Sequence, residues 1–363
     1  MSHLPDPRRY PRVDARDSLI RLAMSLLTER DLGALVRKEA DLDAELSRLL
    51  GAGDDAAIGE ALGKVPSQEV YLCLNDRLRQ AVERPPVDAA GHNVLFALPL
   101  VLVAGSRAPL SLPGRLPDPT AVLALLREHG IIHPEAEVEL LAQLPTESQL
   151  AGIRPSELAR WRDAPTATLP DFAEQPLQIN GETVLLRFIV GVARQPAQAA
   201  PAVQLGITPG PWGLALTRLL SEQWKHDNLT LFPLPRAPLP WLPARHDGRS
   251  ARLHIQFEIY ASNILRKLRQ GGEQPVAVLS AHDNDELHVT LGAASNGEVW
   301  EGFVWPLTPL DRVEGIVAAM VELLRECRLD RIEILPEVLP AVHEGLPYFP
   351  LPTELDALPL TRH

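Results

Sequence analysis

The sequence predicts an α/β (or α+β) protein: a helical N-terminal region, a mixed sheet of repeated β–α–β units, and a C-terminal antiparallel meander. Three observations carry this. Three stretches share the order apolar strand, helix, apolar strand, and their helices end on related tetrads: Leu125-Leu126-Arg127-Glu128, Leu219-Leu220-Ser221-Glu222 and Leu323-Leu324-Arg325-Glu326. Residues 1–90 show helical apolar spacing and no strand-like alternation. Residues 275–307 hold three β-prone runs separated by Asp-, Asn- and Gly-containing turns. The tetrad is also present as Leu26-Leu27-Thr28-Glu29 with no strand behind it, so it speaks of architecture and carries no chemistry.

Met1–Arg16 is polar and proline-bearing, an arm. Asp17 then suits the N-cap of a helix to Leu32, with Leu19, Leu22, Ala23, Leu26 and Leu27 on one face. A second helix, Ala34–Leu50, stops at Gly51-Ala52-Gly53. Asp54–Leu62 gives a third. A fourth opens around Pro66-Ser67 and ends before Pro85-Pro86.

The first β–α–β unit runs Val94–Val103, helix Thr120–His129 closed by Gly130, then Val138–Leu141. Pro155–Arg162 is a short helix. Asn180-Gly181 between β-prone runs predicts a type I′ hairpin, because both turn positions need positive φ. The second unit runs Thr183–Val192, a helix after Pro209-Gly210-Pro211, then Leu229–Phe232. Pro233–Asp247 is proline-rich and expected to be irregular. Ala251–Gln270 mixes strand-like alternation with helical spacing and is taken as mostly helix.

Strands Pro275–Leu279, Leu287–Leu291 and Glu298–Leu307 form the meander. The third unit runs Val299–Leu307, helix Leu310–Cys327 behind Thr308-Pro309, then Ile332–Leu335. The tail Pro340–His363 is proline-rich. Parallel strands joined by a helix make right-handed crossovers. The expected organisation is 1–90 helical, 91–240 the first α/β region, and 241–363 the second, with meander, third unit and tail.

The chain has 363 residues, 45% hydrophobic, an ordinary globular balance. No run reaches the roughly 18 apolar residues of a membrane span, and Met1–Asp17 lacks the apolar centre of a secretory signal. Two cysteines, Cys73 and Cys327, suggest neither a disulfide framework nor a zinc site, so a cytoplasmic setting is expected. The net charge of −12 argues against a nucleic-acid partner. A run of Arg249, Arg252, Arg266, Lys267 and Arg269 is diluted by acidic neighbours. Only four of the 35 basic residues are lysines, which we read as the signature of a GC-rich bacterial genome.

Candidate chemistry is sparse. His282-Asp283-Asn284-Asp285-Glu286 could offer oxygens to a hard cation, yet it lacks the glycine and late glutamate of a calcium loop and suits a hairpin turn better. His129 and His133 stand four apart as a zinc pair would, but Gly130 and Pro134 break the helix that would align them. His226 closes a helix, and His246-Asp247-Gly248 reads as a turn. Leu205–Pro211 precedes a helix but lacks the Lys and Ser/Thr of a phosphate loop. Cys73 lies on an apolar helix face as a core thiol. Alternation sets Trp300, Gly302 and Val304 on one face and Glu301, Phe303 and Trp305 on the other. No metal or other cofactor is expected.

The C-terminal third resembles an uncharacterised, mainly betaproteobacterial family known only as a domain of unknown function. The residues that carry the resemblance are Gly302-Phe303-Val304-Trp305-Pro306-Leu307, the helix and strand to Leu335, and Gly345-Leu346-Pro347-Tyr348-Phe349-Pro350-Leu351-Pro352. A looser match covers Phe96-Ala97-Leu98-Pro99. The family carries a Cys-x-x-Cys pair before the last motif. Ala341 and Glu344 stand there in this chain, which withdraws any metal or redox expectation. The resemblance implies a shared fold and no known activity.

The leading expectation is therefore a non-catalytic, cytoplasmic bacterial protein that binds other proteins as a scaffold or adaptor, with self-association open. The alternative is an enzyme or binder of a small anionic ligand at the carboxyl ends of the sheet strands, where Arg107, Arg194 and Arg312 would converge.

Overall fold

A computed structural model describes residues 15–84, 91–166, 169–196, 200–283, 285–293 and 299–339. The class is α+β, and the chain divides into two compact units, Met1–Gly248 and Arg249–His363. The helical region and the first α/β region expected from sequence share one unit. The expected arm up to residue 14, the turn Ser295-Asn296-Gly297 and the tail fall outside the described residues, while Ala15 and Arg16 already belong to the first helix.

Four helices open the first unit: α1 (Ala15–Thr28), α2 (Leu32–Ala52), α3 (Asp55–Gly63) and α4 (Gln68–Glu83). Their boundaries follow local chemistry. Asp31, Asp54 and Ser67 each accept a backbone N–H of the first turn, and Gly53 ends α2 at φ 70°. Asp17 lies inside the first turn of α1 and is not its cap. The buried stripes, Leu42, Leu46 and Leu49 of α2 and Val70, Leu74, Leu78 and Val82 of α4, recur at three- and four-residue spacing. On α1 Leu19, Ala23 and Leu26 are buried while Leu27 is exposed.

The first sheet follows: β1 (Gly91–Leu112), α5 (Pro119–Glu128), β2 (Val138–Leu140), α6 (Glu147–Ala151), α7 (Pro155–Asp163), β3 (Leu177–Pro196), α8 (Pro211–Gln223), β4 (Leu229–Pro235) and β5 (Leu239–Pro240). Its order is β2-β3-β1-β4, all antiparallel neighbours, with β5 pairing β1 below β4. The expected crossovers are thus split. β1 and β2 run parallel with β3 between them, and β3 and β4 run parallel with β1 between them, a β-α-β-β-α-β arrangement.

Long β1 and β3 have no hairpin between Leu177 and Val184. Asn180-Gly181 instead sits where the β1–β3 register slips between Ser106 and Leu110, with Gly181 at φ 63°. The positive φ read as a turn is that of a bulge. Pro99 lies in the middle of β1 without cost. Its carbonyl accepts Arg236 N at 2.9 Å, so the side lacking an N–H faces the gap between the β4 and β5 ladders.

One face of this sheet, with Phe96, Leu98, Leu100 and Ile189, packs against Val122 and Leu126 of α5 and Leu216 and Leu220 of α8. A Cβ on Gly191 would lie 2.4 Å from Phe96 Cζ, so glycine there lets the ring lie on the strand. On the outer edge of β4, Thr217 and Ser221 of α8 donate to the carbonyls of Pro233 and Leu231. Pro233 and Pro235 have no N–H to offer on that same side.

The long α9 (Trp241–Gln270) overturns the expectations of irregularity over Pro233–Asp247 and of a turn at His246-Asp247-Gly248. Gly248 is helical, and a Cβ there would stand 2.9 Å from Pro99 Cβ and 3.0 Å from Leu186 Cδ1. It serves close helix-to-sheet packing, which sequence cannot tell from a turn.

The second unit contains the rest of α9, β6 (Pro275–His282), β7 (Glu286–Ala293), β8 (Val299–Pro306), α10 (Val313–Glu326) and β9 (Ile332–Leu339). The sheet order is β8-β7-β6-β9, antiparallel except for the β6–β9 pair. In the third β–α–β unit, β8 and β9 are parallel with two strands between them, unlike the first two units. Helix α10 starts three residues later than expected, because Asp311 Oδ2 accepts Thr308 N and Oγ1 and holds that segment as a turn. Leu253, Phe257, Ile264 and Leu268 of α9 and Ile316, Met320 and Leu324 of α10 cover one sheet face with Trp305.

Candidate binding groove

A groove of about 710 Å³ runs between α2, α4 and α7 in the first unit. Its floor is small and apolar, with Leu50 and Ala159 buried and Ala81 beside them. Its wall is fixed by Arg162 of α7, which is 8% exposed. Arg162 Nη1 donates to the main-chain oxygens of Ala81 (2.6 Å), Val82 (2.9 Å) and Arg84 (2.6 Å), while Nε and Nη2 hold Asp163 at 2.7 and 2.6 Å. The guanidinium thereby satisfies carbonyls that a helix C-terminus leaves open, where the dipole also favours a cation.

The other end of α7 is anchored by Asp55, whose carboxylate accepts Ser156 N at 3.0 Å and Ser156 Oγ at 2.5 Å. On α2, Asp43 is paired with Arg77 of α4. These bonds make the groove rigid and commit its carboxylates. At the rim Arg84 and Arg160 are exposed; Arg160 Nε donates to Ser156 O at 3.4 Å and its guanidinium stands 4.0 Å from Glu157. Gln80 donates to Asp76 at 2.6 Å, yet its Oε1 is buried with no partner.

Beyond Glu39 the α2 wall carries exposed apolar side chains. Val36 lies seven residues before Asp43 and eleven before Ser47, so the three share a helix face, and Val36 is 63% exposed. Leu27 and Leu32 flank the α1–α2 turn at 49% and 78% exposure, with Met24 a turn earlier at 44%.

The three arginines expected to form an anion site do not gather. Arg107 is exposed in the β1 bulge. Arg194 lies opposite Asn93 at the other end of the β1–β3 ribbon, its Nη1 bonded to Asn93 Oδ1 and Ala164 O, both at 3.1 Å. Fourteen residues of strand separate the two positions, roughly 45 Å. The expectation assumed parallel strands, whose carboxyl ends coincide. In an antiparallel pair they lie at opposite ends. Arg312 belongs to the second unit, exposed at the N-cap of α10.

The other candidates take structural places. His282–Glu286 closes the β6–β7 hairpin with Asp285 at φ 58°, and no group of three metal-binding side chains occurs among the described residues. Glu135 N donates to His133 Nδ1 at 3.3 Å within a loop. Burial pushes the Cys73 thiol up, away from a reactive thiolate. Trp305 and Phe303 join the core as alternation required, while the Trp300 side chain lies outside the described ones. The arginines of α9 are dispersed: Arg249 pairs with Asp311, Arg266 with Asn263, and Arg269 donates to the carbonyls of Cys327 and Arg328.

Sequence reading missed Arg162. Its only signal was an arginine in the last turn of a short helix, and the carbonyls it serves lie about eighty residues away. Comparison with protein-family models, curated proteins and solved structures returns no match for this chain.

Proposed function

We propose that this chain is a non-catalytic adaptor that binds other proteins through α2 and the groove beside it. The observation that carries this reading is the placement of exposed Val36, with Leu32 a turn before it, on the same face of α2 as Asp43 and Ser47 of the groove, with Glu39 between them. A short segment of a partner fits the groove. That segment carries acidic side chains, because the rim carboxylates Asp43 and Asp163 are already paired, while Arg84 and Arg160 are exposed cations and Arg160 is held only by long contacts to Ser156 O and Glu157. Arg162, Asp163 and Asp43 of the groove are bonded to main chain and to paired side chains, which favours recognition over catalysis. A cytoplasmic bacterial setting belongs to the same reading, supported by two free thiols and the arginine-rich composition. So does kinship with the proteobacterial family, whose motif at 345–352 lies outside the described residues.

Affinity purification from the native cell, read by mass spectrometry, tests this. Partners captured by the wild type should be lost with Val36→Glu and with Ser47→Tyr, and weakened by Arg84→Glu together with Arg160→Glu. Unchanged capture by all three variants, each folded by circular dichroism, would overturn it.

A further inference from the structure

We propose that the first unit holds a second, independent site: a cleft at the start of β1 that takes a small apolar molecule bearing a basic nitrogen. The cleft encloses about 220 Å³ and lies between α4, β1, α7 and the start of α9. That is the space of about seven waters at roughly 30 Å³ each, below the range of roughly 300–1,000 Å³ for drug-sized ligands. Val94, Leu95, Leu158, Pro240 and Trp241 provide apolar walls.

Two of its polar residues are already spent. Arg162 serves α4 and Asp163 as described. Asn93 Nδ2 donates to the carbonyls of Trp161 (2.8 Å), Ala164 (3.1 Å) and Thr166 (3.2 Å), and its Oδ1 accepts Arg194. Glu83 is different. Its Oε1 is buried without a partner, and its Oε2 meets Arg79 only at 3.5 Å. It is the last residue of α4, where the helix dipole also disfavours an anion. Burial pushes its carboxyl up to about 7, with Asp76 adding to the rise and Arg79 opposing it.

His92 does not supply the missing cation, since burial and the nearby Arg162 and Arg194 hold its ring below the usual value. A ligand ammonium would donate to Glu83 in a charge-assisted bond and neutralise it, with its hydrocarbon against the walls. A ligand carboxylate would meet a like charge. The indole Nε1 of Trp241, also buried without a partner, leaves one donor for a second polar atom.

Isoamylamine, isoamyl alcohol and isovalerate share one carbon skeleton and differ in head group. Each is titrated into the full chain by saturation-transfer NMR and calorimetry. The amine should bind about tenfold more tightly than the alcohol, the scale of one charge-assisted bond, with isovalerate weakest. Its affinity should rise from pH 6 to 8 as Glu83 ionises. Glu83→Gln, which keeps size and shape, should reduce the amine to the level of the alcohol, and Leu95→Trp should exclude all three. Equal affinity for amine and alcohol, preference for isovalerate, no binding of the amine, or an amine indifferent to Glu83→Gln would each overturn the proposal. None of these outcomes depends on the groove, because Leu95 and Glu83 do not line it.

Discussion

The two sheets differ in what they hide on the face away from their main core. In the first unit that face is mainly apolar: Ala97, Val101, Leu186, Phe188, Val190 and Val192 are each no more than 3% exposed, with buried Asn93 at its end. In the second unit the corresponding face sets Ser280, His282, His288, Thr290 and Glu333 beside Val276 and Val278, each no more than 8% exposed. Part of the polar set is bonded within itself, while Glu333 Oε2 is buried without a hydrogen-bond partner. Ser280 Oγ and His282 Nε2 stand 3.0 Å apart, His288 Nε2 and Glu286 Oε2 2.8 Å, and the two imidazoles stack with centroids 3.9 Å apart. Burial alone therefore does not identify a hydrophobic layer. A buried polar face is tolerated where its groups are paired, and it makes the unit sensitive to protonation where an apolar face would not.

The largest expected effect lies in the apolar core of the second unit. Leu324, fully buried on α10, should cost roughly 2–5 kcal/mol when replaced by alanine, the usual range for a large-to-small core change. An unchanged denaturant midpoint would show that this unit does not draw its stability from the α9–α10 face. In the first unit, Gly191→Ala should cost about 1–3 kcal/mol by overpacking against Phe96. Phe96→Leu in the same chain should recover part of that loss. Strict additivity in the double-mutant cycle would contradict the contact.

Acidification should move the contributions of Glu83 and His288 in opposite directions. Burial, the largest influence, holds His288 below its ordinary 6.5 against the pull of Glu286, so the unfolded chain binds the proton more readily. That contribution is complete above pH 6.5 and is lost as pH falls below it. Glu83 is the reverse case. Its folded value of about 7 exceeds 4.5, so its contribution is complete below pH 4.5 and lost as pH rises to 7. After discounting for solvent screening, the Glu83 effect is on the order of 1–2 kcal/mol. Hydrogen exchange at pH 7 and pH 5, corrected for intrinsic rates, should show α4 around Glu83 gaining protection on acidification and β7 around His288 losing it. Shifts of the same sign would erase the distinction, and Glu83→Gln should flatten the response of α4 alone.

The smallest expected effect is none. With 35 basic and 47 acidic residues, neither unit should bind DNA or RNA tightly near ~0.15 M salt. Submicromolar affinity in an anisotropy titration would single out the second unit, which carries the Arg249–Arg269 stretch.

Local chemistry was legible in part: helix starts at Asp54 and around Ser67 were read correctly, while Asp31 was passed over inside the expected first helix. Asp31, Asp54, Ser67 and Asp118 cap helices through bonds to residues three positions on, so their spacing is visible in the chain itself. Pairing was not. β1 meets β3 across about ninety residues, and nothing in the letters of Val94–Val103 says that its neighbour is antiparallel. That single unknown misplaced Arg107 and Arg194 at a shared end. Gly181 and Gly248 show the same limit in small. Each glycine is required, one by a bulge and one by close packing, and both requirements are set by a partner distant in sequence. The groove was illegible for the same reason, since α2, α4 and α7 meet only in the fold.

The outer edge of β4 has a consequence for life in a crowded solution. A strand recruits another strand through a row of free donors and acceptors. Here Pro233 and Pro235 remove donors and the α8 hydroxyls occupy the carbonyls of Leu231 and Pro233, so an incoming chain finds almost no template. The opposite edge, β2, is three residues long. A sheet whose central strands are rich in leucine and valine, the composition that feeds cross-β stacking, is thereby kept from growing sideways, and newly made copies can accumulate without zipping together.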